Sequence, residues 1–509
     1  MATALVFIAA TDLHAQCPDG SPPPCARAAL RTPAPTSVAV LYFESRSRDT
    51  ADVYLADGLT EAITNQLGHL ERLQVKSQTA ARRFRGRAVD DPSAVSRALG
   101  VTNFVSGSVQ RAGSRLHVTV ELVRGATGLR LWGEQYDRSD SDVLQIQEDI
   151  ARAVATNIAG RLLPQEQRAI ATRPTRNPKA YDHVLRGNYY LAQRTQQGVA
   201  RAIAQYDAAL RLDPGFTAAR AQIALAFGNL LDWELPYENL PADSLLQRGL
   251  TAADRALRQD SSSSDAWLAR GALLRLGNPG AIDVAREALE RAIELDPRNA
   301  DALDRYASLL EYLGDTAAAR VARHRALDID PERAFTLANL GMESYHARRY
   351  EEAARWFDSA LVIDPTAWYA YSPRVRVRLL LGDFDGARAD VQATLHFAPG
   401  YAAEVASALV EARTGDTVAA RAHLERLLRE IPALPDSEPA GIPARQGSLV
   451  AMVFVALGDS SGALDVLERV RPRASLLWFY LRSPELDRIR SNPRFARLVE
   501  ESEATGRRR

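Results

Sequence analysis

Leu295-Asp296-Pro297, Ile329-Asp330-Pro331 and Ile363-Asp364-Pro365 are three versions of one tripeptide, and Phe397-Ala398-Pro399 closes the series. Successive prolines in the series lie 34 residues apart. Proline lacks an N–H and disfavours helix at the residue before it, so each tripeptide predicts the end of one helix and a turn into the next. This constant period predicts repeated helical units, each of which buries its core only against its neighbours.

Small residues keep the same phase. Alanine recurs five and twelve residues before prolines of this kind, at Ala202, Ala209, Ala285, Ala292, Ala319, Ala326, Ala353 and Ala360. Tyr206 lies eight residues before Pro214, and Phe357 lies eight residues before Pro365. Alanine at these spacings lets paired helices approach closely, while the aromatic ring fills the space between them.

The period and the phased Gly, Ala, aromatic and Pro residues resemble the tetratricopeptide repeat (TPR). The resemblance covers residues 172–471 and gives about six or seven repeats, the last of them degraded after a Pro-rich break at residues 431–443. It implies an all-α superhelical solenoid with a concave groove that binds a protein or peptide.

Residues 37–171 follow a different pattern. Apolar and alternating runs predict strands at residues 37–43, 73–77, 103–111, 115–123 and 129–136. Amphipathic runs predict helices at residues 57–67, 92–99 and 143–163, with Gly100 closing the second. The expected unit is an α/β domain in which helices cover one face of a mixed sheet.

Three stretches of this domain are Ala56-Asp-Gly-Leu-Thr-Glu61, Val105-Ser-Gly-Ser-Val-Gln-Arg-Ala-Gly113 and residues 125–138. They are similar to the TolB-N-terminal-like (FlgO-like) domain, which commonly precedes TPR repeats in bacterial proteins. Residues 472–509, a predicted C-terminal helical cap and basic tail, are similar to the tails of such TPR proteins. Relatives often add a serine/threonine kinase, cyclase or winged-helix domain, and nothing like these stands in this sequence.

The first 36 residues predict export. Residues 1–16 hold an apolar run that ends in small residues, as a secretory signal peptide does. The run is short and lacks basic residues, so the alternatives are a remnant of a membrane-spanning segment and a cytosolic N-terminus. Export predicts a periplasmic or cell-envelope location, and an uncleaved segment would anchor the chain to the inner membrane. In the Pro-rich linker at 17–36, Cys17 and Cys25 predict a disulfide in an oxidising compartment.

Composition argues against several kinds of chemistry. Lys+Arg 63 balances Asp+Glu 63, so no overall basic field attracts nucleic acid. The two lysines, Lys76 and Lys179, stand in neither a P-loop nor a kinase motif. The eight histidines form no His-Glu-x-x-His pair. We therefore expect a protein that is not an enzyme, with no catalytic residues, cofactor or metal, and with no nucleic-acid partner.

Two surfaces are candidate binding sites. The first is a basic segment of Lys76, Arg82, Arg83, Arg85 and Arg87, suited to an acidic protein or a lipid headgroup, with solvated surface as the alternative. The second follows from the TPR resemblance, which implies that the first helix of each repeat turns fixed positions inward. Those positions point to a peptide groove at Asp301, Asp304, Glu311, Phe335, Met342, Tyr345, Tyr369 and Arg376.

An acidic stretch beside aromatic residues suits a peptide with a basic end and a hydrophobic anchor, with inter-repeat packing as the alternative. The sequence thus predicts a non-enzymatic protein-interaction scaffold of the bacterial cell envelope, and it specifies neither the partner nor the oligomeric state. One alternative is the sensor or regulatory module of a serine/threonine kinase or adenylate cyclase type signalling protein. Another is an α/β domain that binds a nucleotide or small molecule.

Overall fold

The computed structural model describes residues 37–507 except 48, 50–51, 71, 88, 234, 278–280, 399, 431–443 and 471–476. The signal-like run, Cys17, Cys25 and the Pro-rich break therefore lie outside the described residues. Helices dominate the chain, and a small mixed sheet stands at its N-terminal side.

The N-terminal domain has the strands and helices that the sequence predicts, with one short strand and two short helices in addition. Its strands are β1 (Ser37–Val40), β2 (Glu44–Ser45), β3 (Gln74–Val75), β4 (Asn103–Ala112), β5 (Arg115–Arg124) and β6 (Leu129–Ser139). Its helices are α1 (Val53–Gly68), α2 (Gln78–Ala81), α3 (Pro92–Leu99), α4 (Val143–Ala159) and α5 (Pro164–Ala171). Gly100 closes α3 with a φ of 64°, a conformation in which glycine carries no Cβ penalty.

The sheet is mixed, as expected. Its order is β3-β1-β4-β5-β6, with β2 also paired to β4. β1 runs parallel to β3 and β4, whereas β4, β5 and β6 form an antiparallel meander. The expectation of one covered face needs correction, because successive residues of β1 point to opposite faces and both are buried. Val38 and Val40 pack in the core that contains α1 and α4, while Ala39 and Leu41 pack with residues of α2 and α3.

Eight consecutive helix pairs follow in the described part of the chain. The first helices are α6 (Pro178–Leu191), α8 (Thr217–Asp232), α10 (Ser264–Gly277), α12 (Ala300–Tyr312), α14 (Ala334–His346), α16 (Trp368–Leu381), α18 (Tyr401–Thr414) and α20 (Ala444–Ala456). The second helices are α7 (Gln196–Leu212), α9 (Ala242–Gln259), α11 (Ile282–Leu295), α13 (Thr316–Ile329), α15 (Tyr350–Ile363), α17 (Phe384–Phe397), α19 (Thr417–Glu430) and α21 (Ser460–Glu468). A C-terminal segment of α22 (Leu477–Leu481), a 3-10 turn (Pro484–Ile489) and α23 (Pro493–Arg507) completes the fold.

The Asp-Pro turns end the second helices as the sequence predicts. α11, α13 and α15 each end one residue before the aspartate of a tripeptide. Asp296, Asp330 and Asp364 have φ of −138°, −137° and −129°, with ψ of 93°, 92° and 92°. These extended values are what a following proline requires of the residue before it.

The alanines in phase form the seams between helices. All eight that the spacing singles out are 0% exposed. Glycines of the first helices deepen these seams, because a Cβ at Gly341 would lie 2.8 Å from the ring of Phe357, and one at Gly271 would lie 2.6 Å from Leu289. The close helix approach predicted from small residues is confirmed at these positions.

None of the helices described here is long and apolar enough to cross a lipid bilayer.

Candidate functional site on the inner face of the array

The array curves enough to bring distant repeats into contact. Arg445, near the start of α20, donates to the carbonyl oxygen of Trp233 at 3.3 Å, just after the end of α8. The Arg445 guanidinium also lies 5.7 Å from the ring centre of Trp368, in α16. We call the surface formed by the first helices the inner face.

The N-terminal domain packs on the first repeat. Gly58 of α1 brings its helix so close to Leu185 of α6 that an added Cβ would lie 2.8 Å from the leucine side chain. The Tyr54 hydroxyl donates to Asp182 at 2.6 Å, and Arg111 donates to the same carboxylate at 3.0 Å. Apolar packing and charge thus hold the domain on α6.

The same domain reaches repeats much further along the chain. Ser77 donates to Asp330 at 2.5 Å, and Arg83 pairs with Glu332 at 3.2 Å. Arg82 pairs with Asp364 at 3.4 Å. Asp330 and Asp364 belong to successive Asp-Pro turns, so the segment after β3 spans two neighbouring repeats.

These contacts correct the interpretation of the basic segment. The sequence suggested an external acidic protein or a lipid headgroup as the partner of this segment, with solvated surface as the alternative, but Arg82 and Arg83 pair with acids of the array. Arg85 pairs with Asp57 of α1 at 2.5 Å. Lys76 and Arg87 line cavities between the domain and the array.

The acidic stretch of the predicted groove is largely neutralised within the protein. Arg323 of α13 is 2% exposed, and its guanidinium lies 2.7 Å from Glu311, 3.3 Å from Glu343 and 3.9 Å from Asp304. Asp301 differs, because its side chain is 67% exposed and pairs with Arg333. Asp304 and Glu311 therefore belong to a buried ion-pair network, and Asp301 faces open space.

The aromatic part of the predicted groove surrounds one arginine. Phe335 and Tyr369 are half-buried and their ring centres lie 5.5 Å apart, edge to face. Arg194, in the turn between α6 and α7, places its guanidinium 4.6 Å from the Phe335 ring and 5.4 Å from the Tyr369 ring. The Trp233 ring lies 5.6 Å from the same group.

The C-terminal segment covers the remaining predicted positions. Tyr345 is 1% exposed and donates its hydroxyl to Glu485. Arg376 is buried, donates to Tyr345 at 3.3 Å and lies 3.7 Å from the sulfur of Met342. Tyr345 and Arg376, expected on an open surface, are thus under a lid formed by the chain itself.

Two adjoining cavities remain between the N-terminal domain and the inner face. One has a volume of about 720 Å³ and extends over α8, α10 and α12, and the other, of about 520 Å³, reaches α16. Glu61, Asn188 and Arg194 stand in the walls of both. The volumes fall in the range of small-molecule sites in proteins.

Charged groups of the larger cavity are perturbed by their surroundings. Burial, together with the charge of Asp265, raises the pKa of Glu61 to about 7. Burial and the charge of Asp301 raise the pKa of Asp265 to about 6. Burial lowers the pKa of Arg194. The surroundings therefore disfavour the ionised form of all three groups, as is often seen for titratable groups in ligand sites.

The region as built can bind, position and neutralise charged groups. No cluster of His, Cys, Asp and Glu among the described residues suits a metal ion.

Several residues of the site escaped the sequence analysis. Arg194 lies in a turn and Glu61 on an amphipathic helix, and neither carries a sequence signal. Arg323 does carry one, because it stands eight residues before Pro331, the position that Tyr206 and Phe357 occupy before their own prolines. A charged residue at a core position of a repeat predicts a buried ion pair.

No protein-family model matches the chain. Two curated proteins are similar to it in part. "Putative adenylate cyclase 3" of Rhizobium meliloti (strain 1021) is 31% identical over 241 residues, which are 47% of this chain and 39% of that protein. "Cellulose synthase 2 operon protein C" of Komagataeibacter xylinus is 30% identical over 207 residues, which are 36% of this chain and 15% of that protein. The match thus spans less than half of either relative.

Solved structures with similar helical arrangements have low sequence identity. Pseudomonas aeruginosa PilF is 19% identical, with 42% of this chain and 95% of that chain covered and a TM-score of 0.32. A tetratricopeptide repeat protein from Parabacteroides merdae is 16% identical, with 56% and 98% covered and a TM-score of 0.35. Cut9 in its complex with Hcn1 is 13% identical, with 71% and 63% covered and a TM-score of 0.45.

These scores are too low to carry an argument, so the assignment rests on the helix pairs, their Asp-Pro ends and their alanine seams. On those features the array has a TPR-like fold. The resemblance of the N-terminal domain to the TolB-N-terminal-like domain stays a prediction.

Proposed function

We propose that the chain is a non-enzymatic protein-interaction scaffold of the bacterial cell envelope, with its TPR-like array as the binding element. The observation that carries this proposal is the segment seated on the inner face. Glu485 contacts Tyr345, Asp487 pairs with Arg348 at 2.6 Å, and the ring of Phe479 lies 4.3 Å from His346. An acidic segment with an aromatic anchor is thus the kind of chain that this face accommodates.

The partner that we propose carries a segment of the same chemistry and takes the place of the C-terminal segment. This revises the expectation of a partner with a basic end, because Arg323 already neutralises the acidic stretch. It also gives the C-terminal segment a role as an internal competitor. The signal-like residues 1–16 support the envelope location.

A labelled peptide with the sequence of residues 477–489 tests the proposal by fluorescence anisotropy. The full chain with Glu485→Lys and Asp487→Lys should bind this peptide, because both contacts of the resident segment are weakened. The unaltered chain should bind it at least tenfold more weakly.

The matched control is Glu294→Lys with Asp385→Lys, which reverses two exposed acids that pair with Arg291 and Arg388 outside the C-terminal segment. This control should behave like the unaltered chain. Equal peptide binding by all three proteins, or by none, contradicts the proposal.

A second candidate function is the regulatory part of an adenylate cyclase type signalling protein. This function is favoured by the similarity to the putative adenylate cyclase, because the 241 matched residues make up only 39% of that protein. In that case the natural protein carries a catalytic domain joined to this module. An assay of cyclic AMP formation from ATP by the protein purified from its natural source decides between the two, since the regulatory function predicts a cyclase activity that copurifies with this chain and the scaffold function predicts none.

A further inference from the structure

Arg194 has an unusual position for a charged side chain. It is a non-glycine residue with a positive φ, 53°, and its guanidinium lies against the rings of Phe335, Tyr369 and Trp233. Within the described residues no carboxylate pairs with it and no acceptor takes a hydrogen bond from it. The rings attract a cation through their faces, yet they leave its in-plane N–H donors unused. Arg194 lines both cavities.

Carboxylates of the same space also lack a basic partner. In the part of the chain that the structure describes, neither Glu61 nor Asp265 forms an ion pair. Asp265 accepts a hydrogen bond from the amide of Asn299 at 3.2 Å. The hydrogen-bond partner of Glu61 is the side chain of Asn188. Glu61, Asp265, Asp301 and Arg194 all line the larger cavity, so these charged groups surround one volume.

Several other charged groups of the inner face form ion pairs. Asp232 lies between Arg275, at 2.7 Å, and Arg305, at 2.5 Å. Arg323 lies among three carboxylates. An ion deep in a protein is costly unless it is paired, and these groups have their partners within the fold. The larger cavity thus brings together a guanidinium and two carboxylates that form no ion pair among the described residues, and it leaves room for a ligand.

We propose that the larger cavity binds a small zwitterion of the amino-acid or short-peptide class. Its carboxylate accepts hydrogen bonds from the Arg194 guanidinium, whose planar fork matches a carboxylate in two-point contact. Its ammonium group lies between Glu61 and Asp265, which supply the compensating negative charge. A cavity of about 720 Å³ accommodates a molecule from a single amino acid to a tripeptide.

This site is distinct from the surface that the C-terminal segment covers. The walls of the cavity come from α1 of the N-terminal domain and from α6, α10 and α12 of the array. A ligand there contacts both units, so its binding would stabilise their docked arrangement by mass action. The inference does not depend on the scaffold function, and the two are tested with different probes.

Thermal unfolding of the full chain is the first test. The common L-amino acids and triglycine are added singly at about 10 mM, and a zwitterion that fills the site should raise Tm by about 2 °C or more. Each probe that does so is compared with its N-acetyl derivative, which lacks the ammonium group, and its amide, which lacks the carboxylate. Both derivatives should bind at least tenfold more weakly by calorimetry.

Variants assign the two ends of the ligand. Arg194→Gln should weaken binding of the zwitterion at least tenfold but leave its amide derivative unaffected, because that derivative has no carboxylate to lose. Asp265→Asn should weaken binding of the zwitterion at least tenfold but leave binding of the N-acetyl derivative unaffected, because that derivative has no ammonium group. If Arg194→Gln lowers the Tm of the free chain strongly, Asp265→Asn alone carries the assignment.

The chain offers a matched control in Arg348→Gln. Arg348 also stands in the turn between the two helices of a repeat with a positive φ, 60°, but it pairs with Asp487. This control should bind every probe as the unaltered chain does. The proposal is overturned if no probe raises Tm, or if Arg194→Gln and Arg348→Gln bind the zwitterion equally.

Discussion

Replacing Arg323 by methionine should destabilise the array more than any surface substitution. Methionine keeps most of the aliphatic volume and removes the charge that Asp304, Glu311 and Glu343 share. The side chains of those three acids are 3%, 6% and 7% exposed, so water cannot replace the lost partner. Breaking a buried ion pair from one side costs about 3–5 kcal/mol.

Urea unfolding followed by far-UV circular dichroism measures the effect. We expect the midpoint of Arg323→Met to fall by an amount equivalent to this free energy at pH 7.5. Arg325→Met, two residues away on the same helix and exposed, should stay within about 0.5 kcal/mol of the unaltered chain.

The loss of stability in Arg323→Met should depend on pH in a defined direction. Burial already raises the pKa of Glu343, and the charge of Arg323 opposes that rise, so removal of the guanidinium raises this pKa further and the defect should shrink as pH falls toward 4. Adding Glu311→Gln to Arg323→Met should recover part of the loss, because the acid nearest to the arginine is then neutral. A defect that equals that of Arg325→Met, or that does not change with pH, refutes the ion-pair network.

Two further predictions concern single positions. Glu61→Gln should be more stable than the unaltered chain at pH 8 and equal to it near pH 4, as measured by thermal unfolding. The reason is that the pKa of Glu61 is raised from 4.5 to about 7, so the folded chain loses stability as pH rises through that interval. Gly341→Ala should cost about 1–3 kcal/mol in urea unfolding, because its Cβ would lie 2.8 Å from the Phe357 ring. Gly68→Ala, where nothing lies within 4 Å of the new Cβ, is the control and should cost nothing.

Much of the fold could be predicted from the sequence because its signals are local. A proline constrains the residue before it, so the Asp-Pro tripeptides reveal where α11, α13 and α15 end. Alternation reveals the meander of β4, β5 and β6 in the same way. The docking of the N-terminal domain is different, because Ser77 and Asp330 are 253 residues apart and no periodicity connects them.

For the candidate site, too, the sequence revealed positions with a local signal but not the contacts between distant segments. The TPR phase placed Asp301, Phe335 and Tyr369 on the inner face, where the structure has them around the cavities or Arg194. The phase could not reveal that Glu485 would cover Tyr345, since that contact depends on the path of a distant segment. Arg323 could have been identified as a charged residue in a core position.

The most direct test of the account is whether the N-terminal domain spans the inner face. A chain with Cys17→Ser and Cys25→Ser receives Ser77→Cys and Asp330→Cys, is treated with a short bismaleimide and is analysed by peptide mass spectrometry. The contact of 2.5 Å between these side chains predicts rapid cross-linking within one chain. The control carries Asp213→Cys in place of Asp330→Cys. Asp213 also stands in an Asp-Pro turn, but it accepts a hydrogen bond from Thr175 and not from Ser77, so this pair should cross-link far more slowly. Equal cross-linking of the two pairs, or none at position 330, would contradict the bridged architecture that forms the cavities between the N-terminal domain and the array.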